Sequence, residues 1–476
     1  MSIKYTTLSG RLVMIGFGSI GQGVLPLILR HINISPDQVT IFTAHDKGRD
    51  VAAALGVTDF RLQPLTRENY RDHLDPLVTK GAFVLNLAYD VASTALIELC
   101  HETGALYLDS CIEPWAGGYY DPNLTPTERS NYGLREQALD INRRNWPNRP
   151  TCVVTHGVNP GLVSHFVKEA LLNMAQANGL PANKPTTREE WAELSMQLGI
   201  KTIHIAERDT QVPAIAKKPG EFVNTWSVEA FVGEGSQPAE LGWGSHEKAM
   251  PQDGRRHPIG SQAAIYLERP GVAARVRSWT PLEGPYHGFL ITHGESISIA
   301  DYLTVRQSNG AGDNVMYRPT VHYAYHPCDA AVMSVHEYCG KGYVLQDNHR
   351  LIKDEIASGM DELGVLLCGN DKGVYWYGSR LTIEQARSLC PYNGATSLQT
   401  TAGVLGGMIW AIENPECGVV EPDEMDASRV MEIARPYLGE MVGVWDKWNP
   451  LEGREKLFPE QLDKTDPWQF ANVLVA

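Results

Sequence analysis

Residues 11–30 restrict the possible folds more than any other stretch. Arg11-Leu-Val-Met-Ile15 is an apolar run of buried-strand length. Gly16-Phe-Gly18-Ser19-Ile20-Gly21 follows without a spacer, and Ile20 to Arg30 then repeats apolar residues at helical spacing. A strand that becomes a helix across so short a link needs a tight turn. Gly16 permits that turn, Gly18 lets the backbone come close to a ligand, and Gly21 lets the helix settle against the strand. The unpaired N–H groups of the first helical turn, with the dipole behind them, then favour a phosphate. A chain with 44 glycines meets the G-x-G-x-x-G pattern by chance, so the preceding strand and following helix carry the reading. They predict a dinucleotide-binding βαβ unit in which Gly16, Gly18, Ser19, Ile20 and Gly21 contact the cofactor.

Strand-like and helix-like signals alternate up to residue 160, as in a parallel sheet covered by helices. Val39-Thr-Ile-Phe42, 82–88, Ala105-Leu-Tyr-Leu-Asp109 and 151–155 read as strands; 69–78, 92–103 and 136–144 read as helices. The expectation is an α/β chain whose residues 1–160 form an N-terminal Rossmann NAD-binding domain. The acid that usually holds the adenosine ribose lies about 20 residues beyond the loop. Here Phe42-Thr-Ala-His45 has no acid at the strand tip, and Asp46, 25 positions after Gly21, is either the ribose contact or a solvated turn residue. The tip also lacks an arginine pair, which favours NAD over NADP.

A length of 476 residues exceeds one ordinary core. After Gly161 the pattern changes: a helix over 162–177, then β-rich segments at 201–205, 263–267, 274–278 and 288–292 separated by turns. These predict a second, α+β domain over 161–398, built on a largely antiparallel sheet. Residues 399–476, with an apolar helix over 400–414, are expected to form a C-terminal helical segment packing back on the Rossmann domain. The net charge of −15 without basic clusters argues against nucleic acid and favours cationic small molecules. No apolar run approaches the ~20 residues needed to span a bilayer. Met1 to Thr7 lacks the features of a signal peptide. The eight cysteines include no Cys-x-x-Cys pair, which argues against a zinc site and fits reduced thiols. A cytoplasmic enzyme with no membrane partner is expected.

Ligands of open parallel sheets lie beyond the carboxyl ends of the strands. Asp90, Glu113 and Asn159 each follow such an end. Singly each also suits a helix cap or a loop, Asp90 in particular an N-cap; together they mark a site. In the second domain His204-Ile-Ala-Glu207-Arg-Asp209 ends a strand with two acids. Trp226 precedes Gly233-Glu234-Gly235, an acid on a glycine-flexed turn, and Ile291-Thr-His293 places a histidine after an apolar strand. A tryptophan face attracts an organic ammonium and carboxylates pair with it, while histidine moves protons near neutral pH. Ordinary core packing for Trp226 and a satisfied strand end for His293 are the plainer alternatives.

These strings resemble the bacterial homospermidine synthases. The likeness is carried by Gly16-Phe-Gly-Ser-Ile-Gly-Gln-Gly23, Glu113-Pro-Trp115, Asn159-Pro-Gly161, His204 to Gln211, Asn224 to Glu229 and Glu240 to Gly244. It continues in Tyr323 to Pro327, Asp361 to Val365 and Asp466 to Phe470, and so spans essentially the whole chain. That family is similar in fold to the saccharopine dehydrogenases, with a Rossmann domain and an α+β domain that forms a homodimer.

The resemblance implies that NAD oxidises one amine-bearing carbon of putrescine or a related diamine. The imine loses ammonia, a second putrescine condenses, and reduction of the new imine yields homospermidine with no net redox change. It also implies Asp90, Glu113, Asn159 and Asp361 as substrate contacts and Glu207, Trp226, Glu234 and His293 as catalytic. Of these, Glu113 and Asp361 would anchor the distal ammonium; Glu207, Glu234 and His293 would handle protons; Trp226 would stabilise cationic states. A saccharopine- or carboxynorspermidine-type dehydrogenase is the alternative enzyme, but it needs arginines for a carboxylated substrate, and acids dominate these strings. A non-catalytic NAD-binding module would have no use for the Trp226, Glu234 and His293 strings.

Overall fold

The computed structural model describes residues 3–181, 184–309 and 312–475. The first sheet is parallel throughout. Six of its seven strands are Leu12–Ile15 (β1), Val39–Thr43 (β2), Asp59–Leu62 (β3), Phe83–Asn86 (β4), Leu106–Asp109 (β5) and Cys152–Val153 (β6). They lie in the order β3-β2-β1-β4-β5-β6, that of a dinucleotide-binding fold. Helices Ser19–His31 (α1), Ser93–Thr103 (α2) and Asn131–Ile141 (α3) belong to this half. Every residue of β1 is buried, because helices cover both faces of a parallel sheet and a continuous apolar run results. Ile15 pairs in register with Phe42 and with Asn86. The glycine loop and residues 87–91 therefore emerge side by side, where the strand order reverses.

Several boundaries differ from the sequence expectation. The helix expected over 69–78 spans only Tyr70–Leu74, and β3, a half-buried edge strand, lay outside the apolar pattern. The helix expected over 136–144 begins five residues earlier because the Ser130 side chain accepts the Gly133 N–H, an N-cap. The strand expected over 288–292 is Gly284–Phe289, and the chain leaves the sheet at Leu290.

The second domain opens with Leu162–Ala177 (α4) and is built on a ten-stranded sheet. At its centre lie Thr202–Asp209 (β7), Thr320–His326 (β8), Met360–Cys368 (β9) and Val374–Thr382 (β10), with helices Glu229–Ser236 (α5) and Gly294–Tyr302 (α6) alongside. Most pairings are antiparallel, but β7 and β8 run parallel. Residues alternate between the two faces, so Glu207 and Asp209 of β7 share a face.

Residues 399–476 are not a helical segment, which corrects the expectation. Helix Ala395–Glu413 (α7) crosses that boundary, Val419–Val420 pairs with β6 of the first sheet, and Glu440–Asp446 (β11) pairs with β10 of the second. Two-residue Val419–Val420 is too short to leave a periodicity to read. Small residues let α7 fit closely: a Cβ on Gly403 would stand 2.0 Å from the Gly157 carbonyl oxygen. The loop that carries Asn159 is thus seated directly on α7.

A buried ion cluster joins the three parts. Arg135 of α3 donates to Glu421 at 2.6 and 2.7 Å and to Asp301 of α6 at 2.9 Å. Removing one partner from such a cluster strands uncompensated charge. Arg135→Ala is expected to lower unfolding free energy by about 3–5 kcal/mol in urea titration, and a loss below about 1 kcal/mol, the size of an exposed ion pair, would contradict this.

Candidate active site

A cleft of about 1040 Å³ runs between the carboxyl ends of β1, β2, β4, β5 and β6 and the facing edge of the second domain. Gly16, Gly18, Ser19, Ile20 and Gly21 line it at one end. Gly16 has φ +88°, a Cβ on Gly18 would meet nothing within 4 Å, and one on Gly21 would stand 2.8 Å from the Gly16 carbonyl oxygen. The three glycines therefore make a turn, leave an opening and permit close packing, as their spacing predicts. The first turn of α1 has no side-chain cap and no acid, so its N–H groups are available to a pyrophosphate.

Asp90, Glu113, Asn159, Glu207, Trp226, Glu234 and His293 all line the same cleft. Asp46 does not. It is exposed on its turn and bound to Arg49 at 2.6 Å; the turn that follows β2 directs it to solvent. Asp361 also stands off the wall. It is fully buried on β9, in register with Asp209 and next to the Glu207 strand. Asp90 is not an N-cap: it has φ 68°, and α2 starts after Ala92.

Glu207 is held from two sides. Asn159 Nδ2 donates to its Oε2 at 2.9 Å and the Tyr323 hydroxyl donates to the same oxygen at 2.5 Å. Burial is the main influence on its carboxyl and, with the nearby charge of Asp209, pushes it up to about 8, although both hydrogen bonds pull the other way. Glu113 is raised by burial and by the charges of Glu234 and Asp90. Asp361 is raised by burial and by Glu207 and Asp209.

His293 is the N-cap residue of α6, not a strand end. Its Nε2 lies 3.0 Å from Glu234 and its Nδ1 3.2 Å from Glu295. Burial disfavours the imidazolium, but the carboxylates of Glu295 and Glu234 outweigh it and push His293 up to about 10. Glu234 sits on helix α5 and not on a flexed turn. Trp226 donates through Nε1 to the Tyr325 hydroxyl at 3.2 Å. The reading of the residues did not single out Tyr323 and Glu295 as site groups. For Tyr323 the available signal was the Tyr323-Ala-Tyr325 alternation on a strand, because period two places both rings on one face; those rings stack 5.2 Å apart.

This arrangement can receive a multiply cationic ligand, hold one proton on His293 and exchange another at Glu207. Tyr323→Phe removes a donor to the ionised form of Glu207, so that form is disfavoured and its titration moves upward. The acid limb of the kcat/KM pH profile is expected to shift to higher pH while the alkaline limb stays. An unmoved acid limb would rule out Glu207 as the base.

Residues 12–153 match the saccharopine dehydrogenase NADP binding domain and residues 157–445 the saccharopine dehydrogenase C-terminal domain. The chain is 53% identical over 474 residues to homospermidine synthase of Blastochloris viridis, covering 99% of this chain and 98% of that one. It is 49% identical over 477 residues to homospermidine synthase of Mesorhizobium japonicum, covering 99% and 97%. It matches the crystal structure of homospermidine synthase from Legionella pneumophila in complex with NAD with a TM-score of 0.91 and 48% identity, over 99% and 98% of the two chains. With this identity over nearly its full length, the chain belongs to the homospermidine synthase family.

Proposed function

We propose that the protein is a homospermidine synthase that joins two putrescine molecules with release of ammonia and retains NAD through each turnover. One observation carries this reading. The cleft that begins at the dinucleotide loop ends among the buried carboxylates Glu113, Glu207 and Glu234, with His293 as the cation among them. Buried acids of this kind demand a cationic ligand, and a diamine brings two charges. NAD, when bound at the glycine loop, supplies the hydride acceptor for the amine-bearing carbon and the donor for the final imine.

The chain's own residues do the rest. Glu113 and Asp90 draw the distal ammonium to the Rossmann side of the cleft. Asp361 stands one step removed, behind the wall, where burial and the charges of Glu207 and Asp209 keep its own carboxyl protonated. Glu207 takes a proton from the reacting ammonium, since a neutral amine is needed before its carbon is oxidised; Asn159 and Tyr323 aim that carboxylate. His293 holds a proton at Nε2 against Glu234, with Glu295 fixing the ring from Nδ1, and so provides an acid for the departing nitrogen. Trp226, fixed by Tyr325, stabilises cationic imine states through its ring. The reading includes a homodimer formed through the second domain and a cytoplasmic setting.

A dehydrogenase for carboxylated imines would place an arginine at this site. Arg208, beside Glu207 in sequence, instead pairs with Glu283 and Asp329 at 2.9 and 3.1 Å. Incubation with NAD and putrescine deuterated at both amine-bearing carbons is expected to yield homospermidine that keeps its full deuterium complement, with ammonia and no accumulated NADH. Mass spectrometry reads the label, and either net NADH or deuterium lost to solvent would overturn the proposal.

A further inference from the structure

The strand tip that should hold the adenosine ribose has no acid, because Asp46 faces solvent and is engaged by Arg49. Yet the cleft wall opposite that tip is acidic. His45 and Lys47 follow β2 on the Rossmann side; across from them the second domain presents Glu229, at the first turn of α5, and Asp347. The two walls are close enough that the charge of Lys47 acts on Glu229. The Glu229 carboxylate is fixed by His349, whose Nδ1 lies 2.9 Å away. A second link crosses nearby, where Lys353 Nζ donates to Gln22 Oε1 of α1 at 3.2 Å. Helix α5 therefore borders both ends of the cleft, with Glu229 beside the β2 tip and Glu234 against His293.

We propose that Glu229 of the second domain, not an acid of the Rossmann strand tip, is the acceptor for the adenosine ribose hydroxyls. The inference rests on the NAD reading given above. Its geometry makes one helix serve both halves of the chemistry, the cofactor through Glu229 and the amine through Glu234. A cofactor gripped by both domains leaves only when they separate, which suits an enzyme whose NAD is reduced and reoxidised in place. A 2′-phosphate would set its charge beside Glu229 and Asp347, so the same pair selects NAD over NADP, despite Lys47 on the facing wall.

The test is NAD and NADP affinity of the full chain by titration calorimetry, with retention of NAD through gel filtration as a second reading. Loss of a hydrogen bond to a charged acceptor predicts that E229A raises the Kd for NAD about 10–100-fold, loses NAD on the column and narrows the preference over NADP. D46A is expected to leave both constants unchanged. E229Q keeps the shape of the side chain, so it carries the same direction of change should E229A fail to fold. Unchanged NAD affinity in a folded Glu229 variant, or a loss in D46A instead, overturns this inference and leaves the synthase reading standing. Failure of the unaltered protein to bind NAD overturns both.

Discussion

Carboxylates buried together with few counter-cations are the constraint on which this structure depends. A charge moved from water into a protein interior costs several kcal/mol unless it is paired or neutralised. Glu113, Glu207, Asp209 and Asp361 are all buried around the inner end of the cleft, and burial raises each of them. Arg208, the nearest strongly basic neighbour in sequence, is turned to other partners. The site therefore keeps protons that exposed acids would release, and it favours cationic groups entering the cleft. Recognition and proton chemistry share this one cause.

The frame must resist the repulsion it encloses. Glu207, Asp209 and Asp361 stand on the central strands β7 and β9, whose register fixes them. Asp209 is bound further by Gln211 and Thr225. The Rossmann contribution lies on loops, and those loops are backed by packing: the Asn159 loop presses on Gly403 of α7, and the Glu113 N–H is held by Ser93 at 3.0 Å. Because α7 leads onward to Val419–Val420 in the first sheet and β11 in the second, the C-terminal part of the chain ties the two walls of the cleft together.

Much of this was legible in the sequence, and the pattern of failure is physical. The apolar run 12–15 and the glycines after it identified the Rossmann unit because both report on local backbone needs. The strings around Glu207, Trp226, Glu234 and His293 marked wall residues correctly, but the elements assigned to them were wrong in two cases. Glu234 is helical despite flanking glycines, since packing of α5 outweighs glycine's propensity cost of about 1 kcal/mol. His293 occupies the N-cap position of a helix because the chain leaves the sheet after Phe289, before the apolar run ends. Tyr323 looked like an ordinary strand aromatic, and its hydroxyl acquires meaning only when parallel pairing of β8 with β7 brings it to Glu207.

By itself, then, the sequence determined the cofactor loop, the acidic and aromatic residue types of the site and the family resemblance. Each of these resides in short strings whose spacing obeys local geometry. Tertiary structure alone decided which acids stand together, which of them line the cleft, and that Asp46 lies outside it. Most of these outcomes depend on distances between segments far apart in the chain, such as Tyr323 and Glu207, and on the desolvation that only the closed assembly of both domains creates.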